Sequence, residues 1–132
     1  MMMAFESSKD SQPYDRLKYG FWNINGFKSK IIGNKLRHKN FLQKIENCDI
    51  VGLAETHVHK LTLDKLSIPG FLRTHYCIRD ASSKGKGSGG LALFCKPHIS
   101  KYITPLTRSN HDVIWVMISK ELCGVDTYLG TI

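Results

Sequence analysis

A carboxylate closing an apolar run is the first place in this sequence where chemistry could occur. In Asp49-Ile50-Val51-Gly52-Leu53-Ala54-Glu55-Thr56-His57, the stretch from Ile50 to Ala54 is apolar and Glu55 follows it directly. A run of that length reads as a strand buried on both faces. Glu55 then falls at the end of an interior strand, where α/β proteins place their ligands. A half-desolvated carboxylate there requires a cation, a set of donors or a raised pKa. A strand-end Glu paired with a nearby Lys would meet the same demand without any function.

Asn23 and Asn25 end a second candidate strand, Leu17-Lys18-Tyr19-Gly20-Phe21-Trp22-Asn23-Ile24-Asn25-Gly26. Alternation puts the two carboxamides on one face, with Trp22 and Ile24 on the other. Each carboxamide offers both donor and acceptor, which suits orienting a phosphate, a water or a metal ligand. Both could equally serve turn backbone. His57-x-His59 has the spacing of a metal pair on a strand, but two ligands fall short of a site. Two exposed histidines in a loop exit are the plainer reading.

The elements that must position these residues follow from periodicity. No acidic residue occurs from Phe27 to Gln43, while Lys28, Lys30, Lys35, Arg37 and Lys39 are basic. The loop Lys28–Gly33 leads into a predicted helix over about Lys35–Asn47, with Leu36, Phe41, Leu42, Ile45 and Cys48 as its apolar stripe. A solvated face accounts for the helix lysines; Lys28 and Lys30, directly after Asn25, are candidates for phosphate contact. Strand, helix and strand make the opening unit, with a right-handed crossover as the default. A polar connector, Lys60–Gly70, precedes a strand at Phe71–Cys77. Within the Gly-rich loop Arg79–Gly90, Lys84 and Lys86 either ride on a flexible hairpin connection or contact nucleic acid; no P-loop pattern is present. Further strands are predicted at Leu91–Cys95, Ile99–Ile103, Val113–Ser119 and from Thr127 onward.

With 132 residues the chain is at most one domain. The net charge of +8 favours a polyanionic partner. Cys48, Cys77, Cys95 and Cys123 are far apart without a CxxC pair, which reads as reduced thiols rather than a disulfide frame or zinc site. No apolar run approaches the roughly 20 residues of a membrane span, and no signal peptide is evident. An intracellular protein with no membrane partner is expected, with residues 1–16 as a disordered leader.

Four blocks in order carry a resemblance: Phe21-Trp22-Asn23-Ile24-Asn25-Gly26, Asp49 to His57, Ile68-Pro69-Gly70-Phe71, and Ser88-Gly89-Gly90-Leu91-Ala92-Leu93-Phe94. Together they resemble the endonuclease/exonuclease/phosphatase superfamily. Their spacing looks most like the apurinic-endonuclease-like domain of non-LTR (LINE-type) retrotransposons. The resemblance implies an α/β fold, a four-layer α/β/β/α sandwich of which residues 17–132 form an N-terminal half truncated at the C-terminus. That half would be mostly one mixed sheet with a helix. It implies Mg²⁺-assisted hydrolysis of phosphodiesters, with Mn²⁺ as a substitute, on DNA or alternatively RNA, in the nucleus if the target is chromosomal.

By the same resemblance Glu55 is catalytic and binds the metal, Asn25 helps bind it, and Asn23 orients the catalytic network. Asn25 stands where some relatives carry Asp, and one carboxylate fewer weakens a site for a hard dication. The family's later Asp/Asn pair and its final Asp–His pair have no match here; His98 and His111 lie upstream of where those belong. Hydrolysis by the chain alone is therefore not expected. A nucleic-acid-binding remnant and a phosphatase or phosphodiesterase branch remain as alternatives. Truncation also predicts a missing partner sheet, an open apolar face around Leu93, Ile114 and Val116, and self-association through it.

Overall fold

Parallel pairing of the first two long strands sets up everything that follows. The computed structural model describes residues 17–78, 89–106 and 113–132. Strand β1 (Tyr19–Asn23) leads into a small antiparallel hairpin of β2 (Lys28–Ser29) and β3 (Gly33–Asn34), then helix α1 (Lys39–Ile45). The chain returns as β4 (Ile50–Ala54), parallel to β1, with Tyr19 opposite Ile50 and Asn23 opposite Ala54. The expected strand–helix–strand unit is thus present. Strands β5 (Leu72–Cys77) and β6 (Leu91–Cys95) complete a mixed sheet of order β1-β4-β6-β5. Every residue of β4 and β6 is buried, as continuous apolar runs in central strands should be.

A second sheet faces the first. Strands β7 (Ile103–Pro105), β8 (Ile114–Ile118) and β9 (Thr127–Thr131) run antiparallel in that order, with the short helix α2 (Lys120–Cys123) between the last two. Ile114, Val116 and Ile118 point inward from β8 and meet Ile50, Ala54, Leu91, Leu93 and Cys95 from the first sheet. The other face of the first sheet presents Val51, Leu53, Ala92 and Phe94 to Leu36, Ile45, Leu66 and Ile68.

The α/β architecture with a mixed sheet matches the sequence reading, but one expectation attached to it fails. Leu93, Ile114 and Val116 have zero exposure. The strands foreseen near the C-terminus assemble into the covering sheet themselves, so the open apolar face is absent and with it the ground given for self-association.

Local differences have local causes. The single helix predicted from Lys35 to Asn47 is divided at His38, whose extended backbone separates a 3-10 turn (Lys35–Arg37) from α1. Asn34 caps the turn by accepting from the Leu36 amide, and His38 Nδ1 caps α1 by accepting from the Asn40 amide. The first strand stops at Asn23, because Asn25 and Gly26 adopt positive φ of 48° and 90°. Residues Pro97–Tyr102 form a 3-10 turn rather than a strand: Pro97 starts it, and Ile99 is apolar because it enters the core. The Lys60–Gly70 connector carries another 3-10 turn, Lys60–Lys65, capped by His59. The four cysteines form no disulfide. No helix among the described residues is long and apolar enough to cross a membrane. Residues 1–16, Lys84, Lys86 and His111 lie outside the described residues.

Candidate functional site

Because β1 and β4 are parallel and in register, their exits lie side by side. The chain leaving β1 stays tied to the chain leaving β4: Ile24 N donates to Ala54 O (3.1 Å), Gly26 N to Glu55 O (2.6 Å) and Phe27 N to Thr56 O (3.0 Å). On the other side Thr56 N donates to Gly90 O (3.3 Å) and His57 N to Gly89 O (2.9 Å). Residues 55–57 are thus laced between two neighbours. That lacing supports an unusual backbone, since Asn25, Glu55 and His57 have φ of 48°, 53° and 56°. Left-handed conformations in residues with a Cβ each disfavour the fold by about 1–2 kcal/mol and persist where surrounding bonds over-determine them.

Two glycines permit the close approach. A Cβ on Gly26, itself at positive φ, would lie 2.9 Å from His57 Nδ1, and one on Gly90 would lie 2.5 Å from Thr56 Oγ1. Thr56 Oγ1 is buried and has no hydrogen-bond partner among the described residues.

The side chains converge on Glu55. Asn23 Nδ2 donates to Glu55 Oε2 at 2.8 Å, while Asn23 Oδ1 accepts from the Asn25 amide at 3.1 Å. His57 Nε2 lies 3.8 Å from the other carboxylate oxygen, Oε1. Lys35 does not reach the carboxylate; its ammonium donates to the carbonyls of Ile24 (2.8 Å) and Asn25 (3.3 Å), bracing the loop that presents Asn25. Among the described residues, the neighbours of the Glu55 carboxylate are therefore a hydrogen-bonded amide and a nearby imidazole, not the lysine that a non-functional strand end would use.

These residues fit a hydrated hard dication. Mg²⁺ keeps several waters and takes one or two carboxylates. The Glu55 side chain is 47 % exposed, Asn23 orients it through one oxygen only, and exposed Asn25 adjoins it. Among the described residues no group of three or more His, Cys, Asp or Glu converges, so such an ion would be held mainly by Glu55, a carboxamide and water.

Asn23, Asn25 and Glu55, singled out in the sequence, are brought together. Lys28 and Lys30 are exposed on the adjoining β2–β3 hairpin. His57 and His59, read as a pair of exposed histidines, are both part-buried and part company: one faces Glu55, and the other caps a 3-10 turn. Sequence reasoning missed His57 and Lys35 as parts of this corner. The legible signal for His57 was glycine, since Gly26 and Gly89-Gly90 mark the segments that must come close to residues 55–57.

No curated protein sequence matches the chain. Among solved structures, an AP endonuclease from Leishmania major is similar, with a TM-score of 0.58 and 18% identity over 87% of this chain. The match covers 39% of that protein, so the chain spans about two fifths of its length. At that identity the likeness is one of fold. The sequence model of the endonuclease/exonuclease/phosphatase family matches residues 20–130. A match over that much of the chain, with the paired strand exits described above, settles the family: the chain belongs to the endonuclease/exonuclease/phosphatase family.

Proposed function

We propose that the chain carries the metal-binding corner of a DNA phosphodiester hydrolase of the retrotransposon-endonuclease type. The observation that supports it best is the Asn23–Glu55 hydrogen bond at the adjoining ends of two parallel strands. Glu55 and Asn25 would hold Mg²⁺ or Mn²⁺, which supplies a Lewis acid for phosphate oxygens and lowers the pKa of bound water. Asn23 keeps the Glu55 carboxylate aimed outward. Lys28 and Lys30 stand on the next hairpin, where they would neutralise flanking phosphates, in keeping with the net charge of +8. The groups that would activate water in such a reaction, a later Asp/Asn pair and an Asp–His pair, find no match in the sequence. The reading is therefore of a chain that binds ion and nucleic acid but does not hydrolyse unaided. Action on chromosomal DNA would place it in the nucleus.

The test is Mn²⁺ titration followed by electron paramagnetic resonance, alongside DNA binding by fluorescence anisotropy over a salt series. Glu55→Gln is expected to lose the ion and keep most of the salt-dependent DNA binding. Equal Mn²⁺ binding by wild type and Glu55→Gln would overturn the assignment. Salt-dependent DNA binding by a wild-type chain that takes up no Mn²⁺ would favour a non-catalytic nucleic-acid-binding module.

A further inference from the structure

Beside the Glu55 corner lies a second concavity that the metal chemistry does not use. The outer face of β1, the hairpin and α1 border an open cleft of about 430 Å³, lined by Trp22, Ile24, Ile32, Lys35, Phe41 and Lys44, with His38 and Asn40 completing it. Its size falls within the range of small-ligand sites.

The walls are aromatic and fixed. The Trp22 indole lies across Gly20, where a Cβ would come within 2.5 Å of the ring. Phe41 meets Trp22 edge-on, with centroids 6.0 Å apart and planes at 78°. Both rings are half-buried, so the corner between them is formed before any ligand arrives.

The charged lining is cationic: among the described residues Lys35 and Lys44 line the cleft and no carboxylate does. Lys35 directs two of its three donors to the Ile24 and Asn25 carbonyls, which leaves it anchored with one donor to offer. Those carbonyls belong to the segment that connects Asn23 to Gly26. The cleft and the ion corner therefore share one loop and one lysine.

Aromatic walls with one anchored ammonium, a second exposed one and no acid among the described residues match a nucleotide, whose base stacks while its phosphate takes the cations. An acidic peptide or anionic lipid would use the lysines and leave the aromatic corner unexplained. We infer that this cleft is a subsite for one unpaired nucleotide of a nucleic-acid strand whose backbone passes the Glu55 corner. The inference rests on the nucleic-acid reading above. It goes further in requiring a base outside the duplex stack, so single-stranded or gapped DNA should be preferred to blunt duplex.

The experiment uses the Trp115→Phe chain, in which Trp22 is the remaining tryptophan, and is run in EDTA so that ion binding plays no part. A short oligothymidylate of about eight nucleotides and a blunt duplex are titrated, reading Trp22 emission and the anisotropy of a label on the DNA. Expected are saturable quenching of Trp22 by the single strand and at least a roughly ten-fold loss of its affinity in Lys44→Glu and in Trp22→Leu. Lys44 is exposed, so its substitution tests the cleft even if the Trp22 variant fails to fold. Duplex affinity should change far less in Trp22→Leu. Single-strand binding without quenching, or undiminished in Lys44→Glu, would overturn the subsite and leave the ion-corner reading intact. Absence of binding to either DNA would overturn the subsite together with the nucleic-acid reading on which it rests.

Discussion

The Asn23 carboxamide is engaged at both ends, giving a hydrogen bond to Glu55 Oε2 at 2.8 Å and accepting one from the Asn25 amide at 3.1 Å. It thus fixes the carboxylate and the turn carrying the second ligand candidate as one unit. Asn23→Ala should leave the fold intact by circular dichroism but let Glu55 rotate. Residues that orient ligands typically contribute about 10–100-fold to metal affinity. A loss of that size is expected in Mn²⁺ affinity, measured by calorimetry on the purified variant.

How far this corner was legible depended on which interactions were local. Ile50–Ala54 announced a central strand because a strand buried on both faces must be apolar throughout, and the five residues are all buried. Glu55 and the two asparagines followed from where strands end. What escaped were features set by distant packing. Ile99 gave the same apolar signal as a strand residue while sitting in a 3-10 turn. The division of strands into two facing sheets was also not legible in the periodicity, because Ile114–Ile118 is apolar throughout and its alternation lies in burial alone. His57 looked like loop sequence, since nothing in residue type reports that its ring lies against Gly26.

Gly52 sits where the two sheets are closest to a shared hydrogen bond. Tyr19 and Thr131 hydroxyls are 3.2 Å apart, joining β1 to β9, and a Cβ on Gly52 would come within 2.7 Å of the Tyr19 hydroxyl and 3.0 Å of Thr131 Cγ2. Gly52→Ala should break this link and lower stability by about 1–3 kcal/mol, as overpacking does. The shift of the urea midpoint at constant m-value measures it.

Burial lowers the pKa of His75 from its ordinary value of 6.5. The unfolded chain therefore takes up this proton at a higher pH than the folded one, so stability rises with pH through the interval between the two values. Stability should fall as pH drops below about 6.5 and the His75 contribution should level off once the folded pKa is passed. Comparing urea midpoints of wild type and His75→Gln across that interval tests this: the variant should show a shallower slope.

The Cys95 thiol is fully buried, and desolvation pushes its pKa up to about 11. At pH 8 only about one molecule in a thousand would carry the thiolate, the reactive form. Iodoacetamide should therefore label part-exposed Cys48, Cys77 and Cys123 first. Peptide mass spectrometry at intermediate times should find Cys95 unmodified until denaturant is added.

The left-handed trio Asn25, Glu55 and His57 sets stability and chemistry against each other. Glycine would relieve the backbone at each position, and a stabilisation screen blind to function would choose it there. Each such choice would remove a carboxamide, a carboxylate or an imidazole from the same corner. An attempt to make this protein more robust should therefore begin elsewhere, because two of these strained residues, Asn25 and Glu55, are the ones through which it would touch an ion.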